Sequence, residues 1–189
     1  MSAFTRIAMF AFFVLSLSFL VSALPTPASA GKELAARDGA IEVLLGLVAK
    51  LKIDVNACVE VLLAAEGLVN IQAAIAALVV VLQAFVAAVV ELGVIANVDA
   101  SVKLSICADI VVCLNAIVHA CLELVVKVGL TVCLTLIVDL QAVLCDLIVK
   151  LDICLGAIIA VIVKLIVDVK VIAFIHVNLT ALLAVLVGL

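Results

Sequence analysis

Few side chains in this sequence belong to types that do chemistry, and cysteine leads them. Seven occur, at Cys58, Cys107, Cys113, Cys121, Cys133, Cys145 and Cys154. Thiols form disulfides, bind soft metals or act as nucleophiles, and an odd count leaves one without an intrachain partner. His119 and His176 are the only histidines, and Ser101 and Ser105 the only serines beyond residue 29. Tyr and Trp are absent. Nothing here favours a nucleophile paired with a base. Cys113, His119, Cys121 and Glu123 resemble a metal set on paper. On a helix, however, the two cysteines point away from His119, which then reads as a solvated residue on a polar face. No glycine-rich phosphate loop is present. A net charge of −4, with no basic cluster and no aromatic platform, argues against nucleic acid. The expectation is a protein that is not an enzyme and has no cofactor or metal.

The elements that carry these residues are very apolar. Of 189 residues, 70% are hydrophobic and 13% charged, against roughly 45–50% and about 25% in an average soluble domain. A chain of this length cannot hide so much apolar side chain internally. The surplus must face lipid, air, a wall polymer or another copy of the chain.

Residues 1–23 have the layout of a secretory signal peptide. Arg6 is the lone charge before an apolar run from Ile7 to Val21, and small residues follow at Val21-Ser22-Ala23 and Ala28-Ser29-Ala30. Cleavage is expected at residue 23, or as late as 30, and the mature chain would enter an oxidising compartment. Residues 24–39, with both prolines, read as a flexible linker or pro-segment. Residues 40–189 form the hydrophobic domain.

No proline interrupts that domain, so long helices are allowed. Asp109, Asn115, His119, Glu123 and Lys127 fall within about 120° on a helical wheel. Thr135, Asp139, Asp146 and Lys150 fall within about 60°, and Asn56, Glu60, Gly67 and Asn70 make a third stripe. Two stretches argue for strand instead: polar residues alternate strictly over 97–109, and 163–181 is rich in Val and Ile. The reading is mainly α, a bundle or array of about five helices, with 94–104 as a connector. Lys52-Ile53-Asp54, Lys103-Leu104-Ser105, Lys127 to Thr131 across Gly129, and Lys150-Leu151-Asp152 look like recurring junctions. In each, Lys would close one helix and Asp, Ser or Thr would cap the next. Gly93 and Gly129 are suited to end helices. The last three junctions suggest a degenerate helical unit of about 23 residues.

An antiparallel pair turning at Gly129 would set Cys113 level with Cys145. An up-down bundle would bring Cys107 to Cys154 at one end and Cys58 to Cys133 at the other. Cys121 would remain as a free or intermolecular thiol. The alternative is that several cysteines are simply buried thiols. Asn178-Leu179-Thr180 is a glycosylation sequon.

The run 67–90 carries no charge and is long enough to span a bilayer, and 171–189 is the next such run. Elsewhere charges recur along the helices rather than gathering in loops. That pattern suits helices lying at an interface better than helices crossing one.

The signal peptide, the short Pro-containing linker and the Cys-containing Val/Leu/Ala-rich body resemble the small secreted non-hydrophobin proteins that coat aerial hyphae of mushroom-forming fungi. The resemblance rests on layout and composition along the whole chain. It implies a wall or surface protein that helps hyphae leave water and attach to hydrophobic surfaces. Hydrophobins themselves carry eight cysteines with two adjacent pairs, and this chain has no Cys-Cys pair. The expected protein is a secreted, disulfide-stapled, surface-active coat that assembles with itself at lipid, air–water or wall-polymer interfaces. The alternatives are a polytopic membrane protein and a secreted lipid carrier.

Overall fold

The computed structural model describes residues 30–168 and 171–172, with side chains from residue 38 onward. The expected signal peptide, His176, Asn178 and most of 171–189 lie outside the described residues. Among those described there are six helices and no strand, so the mainly α reading holds. The helices are α1 (Ala30–Ala64), α2 (Leu68–Leu92), α3 (Ala100–Val128), α4 (Leu130–Leu136), α5 (Val138–Leu155) and α6 (Ile159–Leu165).

Helix α1 starts inside the segment taken for linker, where Lys32, Glu33, Leu34, Ala35 and Ala36 are all good helix formers. Its buried residues Leu44, Val48, Leu51, Val55, Cys58 and Leu62 step by four and three in alternation. That spacing lays one narrow apolar seam along the helix. Helix α2 buries a broader stripe from Ile71 to Val89. On helix α3 the buried residues between Ile106 and Leu124 occupy about half of the circumference. The period-two pattern of 97–109 does not make a strand: residues 97–99 belong to the connector and the rest opens α3.

Glycine marks the turns. Gly67 and Gly129 sit at φ +78° and +84°, a region closed to most residues with a Cβ. At Gly129 the helix carrying Lys127 in its last turn ends as expected, but Thr131 lies within α4 and does not cap it. The other expected junctions do not form. Lys52-Ile53-Asp54 lies within α1, and Lys103-Leu104-Ser105 within the first turns of α3. Lys150-Leu151-Asp152 lies within α5, whose end comes at Gly156. The unit of about two dozen residues is therefore not the repeat of this fold. Asp152 does cap a helix, but a later one: its Oδ1 accepts from the N–H groups of Ile158 (2.8 Å) and Ile159 (3.2 Å).

The axes of α4 and α5 differ by 53°. Neither glycine nor proline lies at the bend. Thr135 Oγ1 donates to the Val132 carbonyl at 2.7 Å, the kind of back-bond that bends a helix.

Close packing joins α1 to α3, α2 to α5, and α1 to α2, with α6 against α3. Lys52 meets Asp109, and Lys127 donates to the Leu63 carbonyl, so α1 and α3 run parallel. The N–H of Ile95 donates to the Cys154 carbonyl at 2.8 Å, while Gln83 and Asp146 line one groove, so α2 and α5 also run parallel. The bundle is thus one antiparallel hairpin, α1–α2, flanked by α3 on the α1 side and α5 on the α2 side. Residues 93–99, which replace the expected connector 94–104, join α2 to α3.

Candidate functional site

The core is uniformly apolar. No polar or charged residue is buried among those described. The unusual surface is the outer one. Large apolar residues are exposed on every helix, among them Val126 at 87% and Val69 at 78% exposure. On α2 they share one face: Val69, Val80, Val90 and, beyond the helix, Val94.

The α3 stripe lies where the wheel places it, whereas Asn56, Glu60, Gly67 and Asn70 are divided between α1, the turn and α2, and Thr135 is separated from Asp139, Asp146 and Lys150 by the bend between α4 and α5. His119, Glu123 and Lys127 are exposed on α3, and Asp109 and Asn115 are half-buried beside them. Thr135, Asp139 and Asp146 are exposed and Lys150 half-buried, while Asn56, Glu60, Gly67 and Asn70 are all exposed. Ion pairs tie the stripes across the bundle. Lys52 Nζ lies 2.8 Å from Asp109 Oδ1, and His119 Nε2 lies 3.0 Å from Asp168 Oδ2. Lys150 and Asp146 are 4.0 Å apart on α5. Asp109 holds the Lys52 ammonium above its usual pKa, mainly through that hydrogen bond. Burial raises the Asp54 carboxyl, against the pull of Lys50.

The disulfide frame expected from the sequence is not formed: all seven cysteines are free thiols. Six are buried and Cys145 is half-buried. The symmetry argument for Cys113 with Cys145 fails because α3 and α5 are not a closely packed pair. The bend after α4 carries the returning chain away from α3. Cys113 instead faces α1, close to Lys52 and Asp109. Cys107 and Cys154 do lie at the same end of the bundle. Asp152 acts on Cys107 there, and Lys103 donates to the Gly156 carbonyl at 3.0 Å. Cys133 does not reach for Cys58; its Sγ donates to the Cys121 carbonyl at 3.6 Å. Cys121, assigned as the spare thiol, is 3% exposed and has no surface from which to bond another chain. Burial pushes the Cys58 thiol up to about 11. Such a group is an apolar filler rather than a nucleophile at neutral pH.

Cys113 and Cys121 face the core while His119 and Glu123 face outward, so these four residues do not converge. Among the described residues no group of three or more His, Cys, Asp or Glu is placed to hold a metal ion. A pocket of about 30 Å³ lies between α1 and α2, lined by residues including Lys50, Asp54, Val81 and Phe85. A shallow groove of about 400 Å³ between α2 and α5 is lined by Gln83, Val86, Ala87, Ala142, Val143 and Asp146. The sequence did not single out either feature, since both depend on how the helices are laid together.

Among the described residues two helices, Leu68–Leu92 and Ala100–Val128, are long and apolar enough to cross a membrane, and a third span is reached if α4 and α5 count as one. The fold is therefore that of an all-helical bundle with an apolar core and a partly apolar exterior. No protein-family model matches the chain, and no curated protein or solved structure does either.

Proposed function

We propose that this protein is a surface-active structural protein that works at the boundary between water and an apolar phase. The observation that carries the reading is an apolar exterior crossed by charged stripes at every height of the bundle. Lys50, Lys52 and Asp54 are the decisive residues. Lys50 and Asp54 line one pocket with Val81, Ala84 and Phe85, which lie at the middle of α2. A bilayer crossed by α2 in this bundle would hold those charges near its midplane. A central charge there costs roughly 2.5–3.5 kcal/mol on insertion scales. Lying flat, with one face wet and the other in the apolar phase, carries no such cost.

Secretion, a place in a cell wall or on aerial structures, and assembly with itself into a film belong to this proposal. Surface tensiometry on the purified chain tests the reading. A fall in surface tension at micromolar concentration is expected, and no fall would overturn it.

One observation favours a second reading, an integral membrane protein. The charge-free run 67–90 would extend about 36 Å as a helix, between Glu66 and Glu91, enough for a hydrocarbon core of about 30 Å. Membrane fractionation without detergent separates the two: recovery in the soluble fraction disposes of the spanning protein. A lipid carrier is the third outcome, shown by stoichiometric lipid in the native mass. The bundle would have to open for it, since the groove between α2 and α5 is shallow.

A further inference from the structure

Six of the seven thiols are packed into the core, and one of them bonds to the residue of another. Cys133 Sγ lies 3.6 Å from the carbonyl oxygen of Cys121 and donates to it. That bond brings the Cys133 side chain to the backbone of Cys121. Cys133 also acts electrostatically on the Cys121 thiol. The groups acting on the remaining cysteines are of other kinds: Asp54 on Cys58, Lys103 and Asp152 on Cys107, Asp109 and Lys52 on Cys113, and Ile95 on Cys154. Both residues of the pair are buried in the core where α3 and α4 pack together around Gly129. Cys133 sits on a seven-residue helix with a turn on each side, the part of this region that needs least disruption to open.

We infer that Cys121 and Cys133 are the pair that forms an intramolecular disulfide when the chain meets a small-molecule disulfide oxidant, locking the turn between α3 and α4. The Cys133 thiol gives up its proton and attacks one sulfur of the oxidant, releasing one small thiol. Cys121 then gives up its proton and attacks the Cys133 sulfur of that mixed disulfide, releasing the second. Two protein thiols are oxidised to one disulfide, and one small disulfide is reduced to two thiols. Burial holds the Cys121 thiol up to about 12, so in the closed bundle the exchange is slow and follows opening of α4. The bridge joins α3 to α4 only. It leaves both free to separate from α1–α2, so it stiffens the protein without blocking rearrangement at an interface.

The test is exchange of the full chain in a glutathione redox buffer, followed by acid quench, alkylation under denaturing conditions and peptide mapping without reduction. The expected result is a loss of two alkylatable thiols and a linked pair containing Cys121 and Cys133. Cleavage at Asp139 separates Cys133 from Cys145, and fragmentation distinguishes Cys121 from Cys113. Cys113→Ala should still lose two thiols, whereas Cys121→Ala should lose none to an intramolecular bridge. A bridge between any other pair, a dominant intermolecular bridge, or seven intact thiols in the wild-type chain would overturn the inference. The wild-type map decides the matter even if a variant fails to fold.

Discussion

Replacing Val69, Val80 and Val90 together with Ser separates the work of the outer face from that of the core. The three lie within about 80° on α2 and are 78%, 46% and 54% exposed. Full burial of a Val side chain is worth about 1.5 kcal/mol. Scaled by the exposed fractions, the three contribute about 2.7 kcal/mol when that face enters an apolar phase, or about 100-fold in partition. Their contribution to the folded state is small by the same measure, because most of that surface is already in water. Surface-pressure isotherms of the triple variant should therefore shift to roughly 100-fold higher concentration. The urea midpoint, followed by circular dichroism, should stay within about 1 kcal/mol of wild type. An unchanged isotherm would show that α2 does not meet the apolar phase. A collapse of stability would show that the face is packed against something, such as a second copy of the chain.

Other perturbations have equally direct readouts. Leu114→Ala empties a fully buried site at the middle of α3 and should cost about 3 kcal/mol in urea unfolding. Asp54→Asn should stabilise the protein at neutral pH. Burial raises the folded-state pKa of this acid above its unfolded value, so wild-type stability falls as pH rises from the unfolded pKa through the folded one. The variant should lose that part of the pH dependence, as urea titrations at acid and neutral pH would show. Lys52→Ala breaks the pair with Asp109 at the surface and should cost less than about 1 kcal/mol, with the difference from wild type shrinking as salt is added. Alkylation of the native, reduced chain should modify Cys145 first, because it alone of the seven is half-buried rather than buried.

The features that local physics determines were legible in the sequence. The charge-free run 67–90 became most of α2, which glycine bounds at both ends, Gly67 and Gly93. Gly93 and Gly129 end helices as their freedom at positive φ suggests, and the polar stripe of α3 falls on its exposed face. What was not legible depends on partners far along the chain. Lys52 looked like the end of a helix because Asp54 followed it, but its ammonium is matched by Asp109 from another helix. Asp152 looked like a cap for the residues next to it, yet the N–H groups it satisfies belong to Ile158 and Ile159. The cysteine pairing assumed that the chain retraces itself about Gly129. The bend following Thr135 breaks that symmetry, and Cys133, expected opposite Cys58, donates its Sγ to the Cys121 carbonyl instead.

The same bend bears on how the protein would change shape. Contact of the α1–α2 hairpin with the rest is carried by α1 against α3 and α2 against α5, and these seams are made of Val, Leu, Ile, Ala, Phe and Cys. Separating them in water exposes an apolar surface and is opposed by the hydrophobic effect. At an apolar boundary the same surface exchanges one apolar neighbour for another, so that opposition largely disappears. The ion pair between Lys52 and Asp109 must break, but a surface pair of this kind is worth only about 0–1 kcal/mol. Residues 93–99 are the natural hinge, with Gly93 and Asn97 both at positive φ. Ile95 bonds that hinge to the Cys154 carbonyl, and Lys127 bonds α3 to the Leu63 carbonyl of α1. The seams therefore carry most of the resistance to opening, and an apolar phase removes that resistance and leaves little else to break.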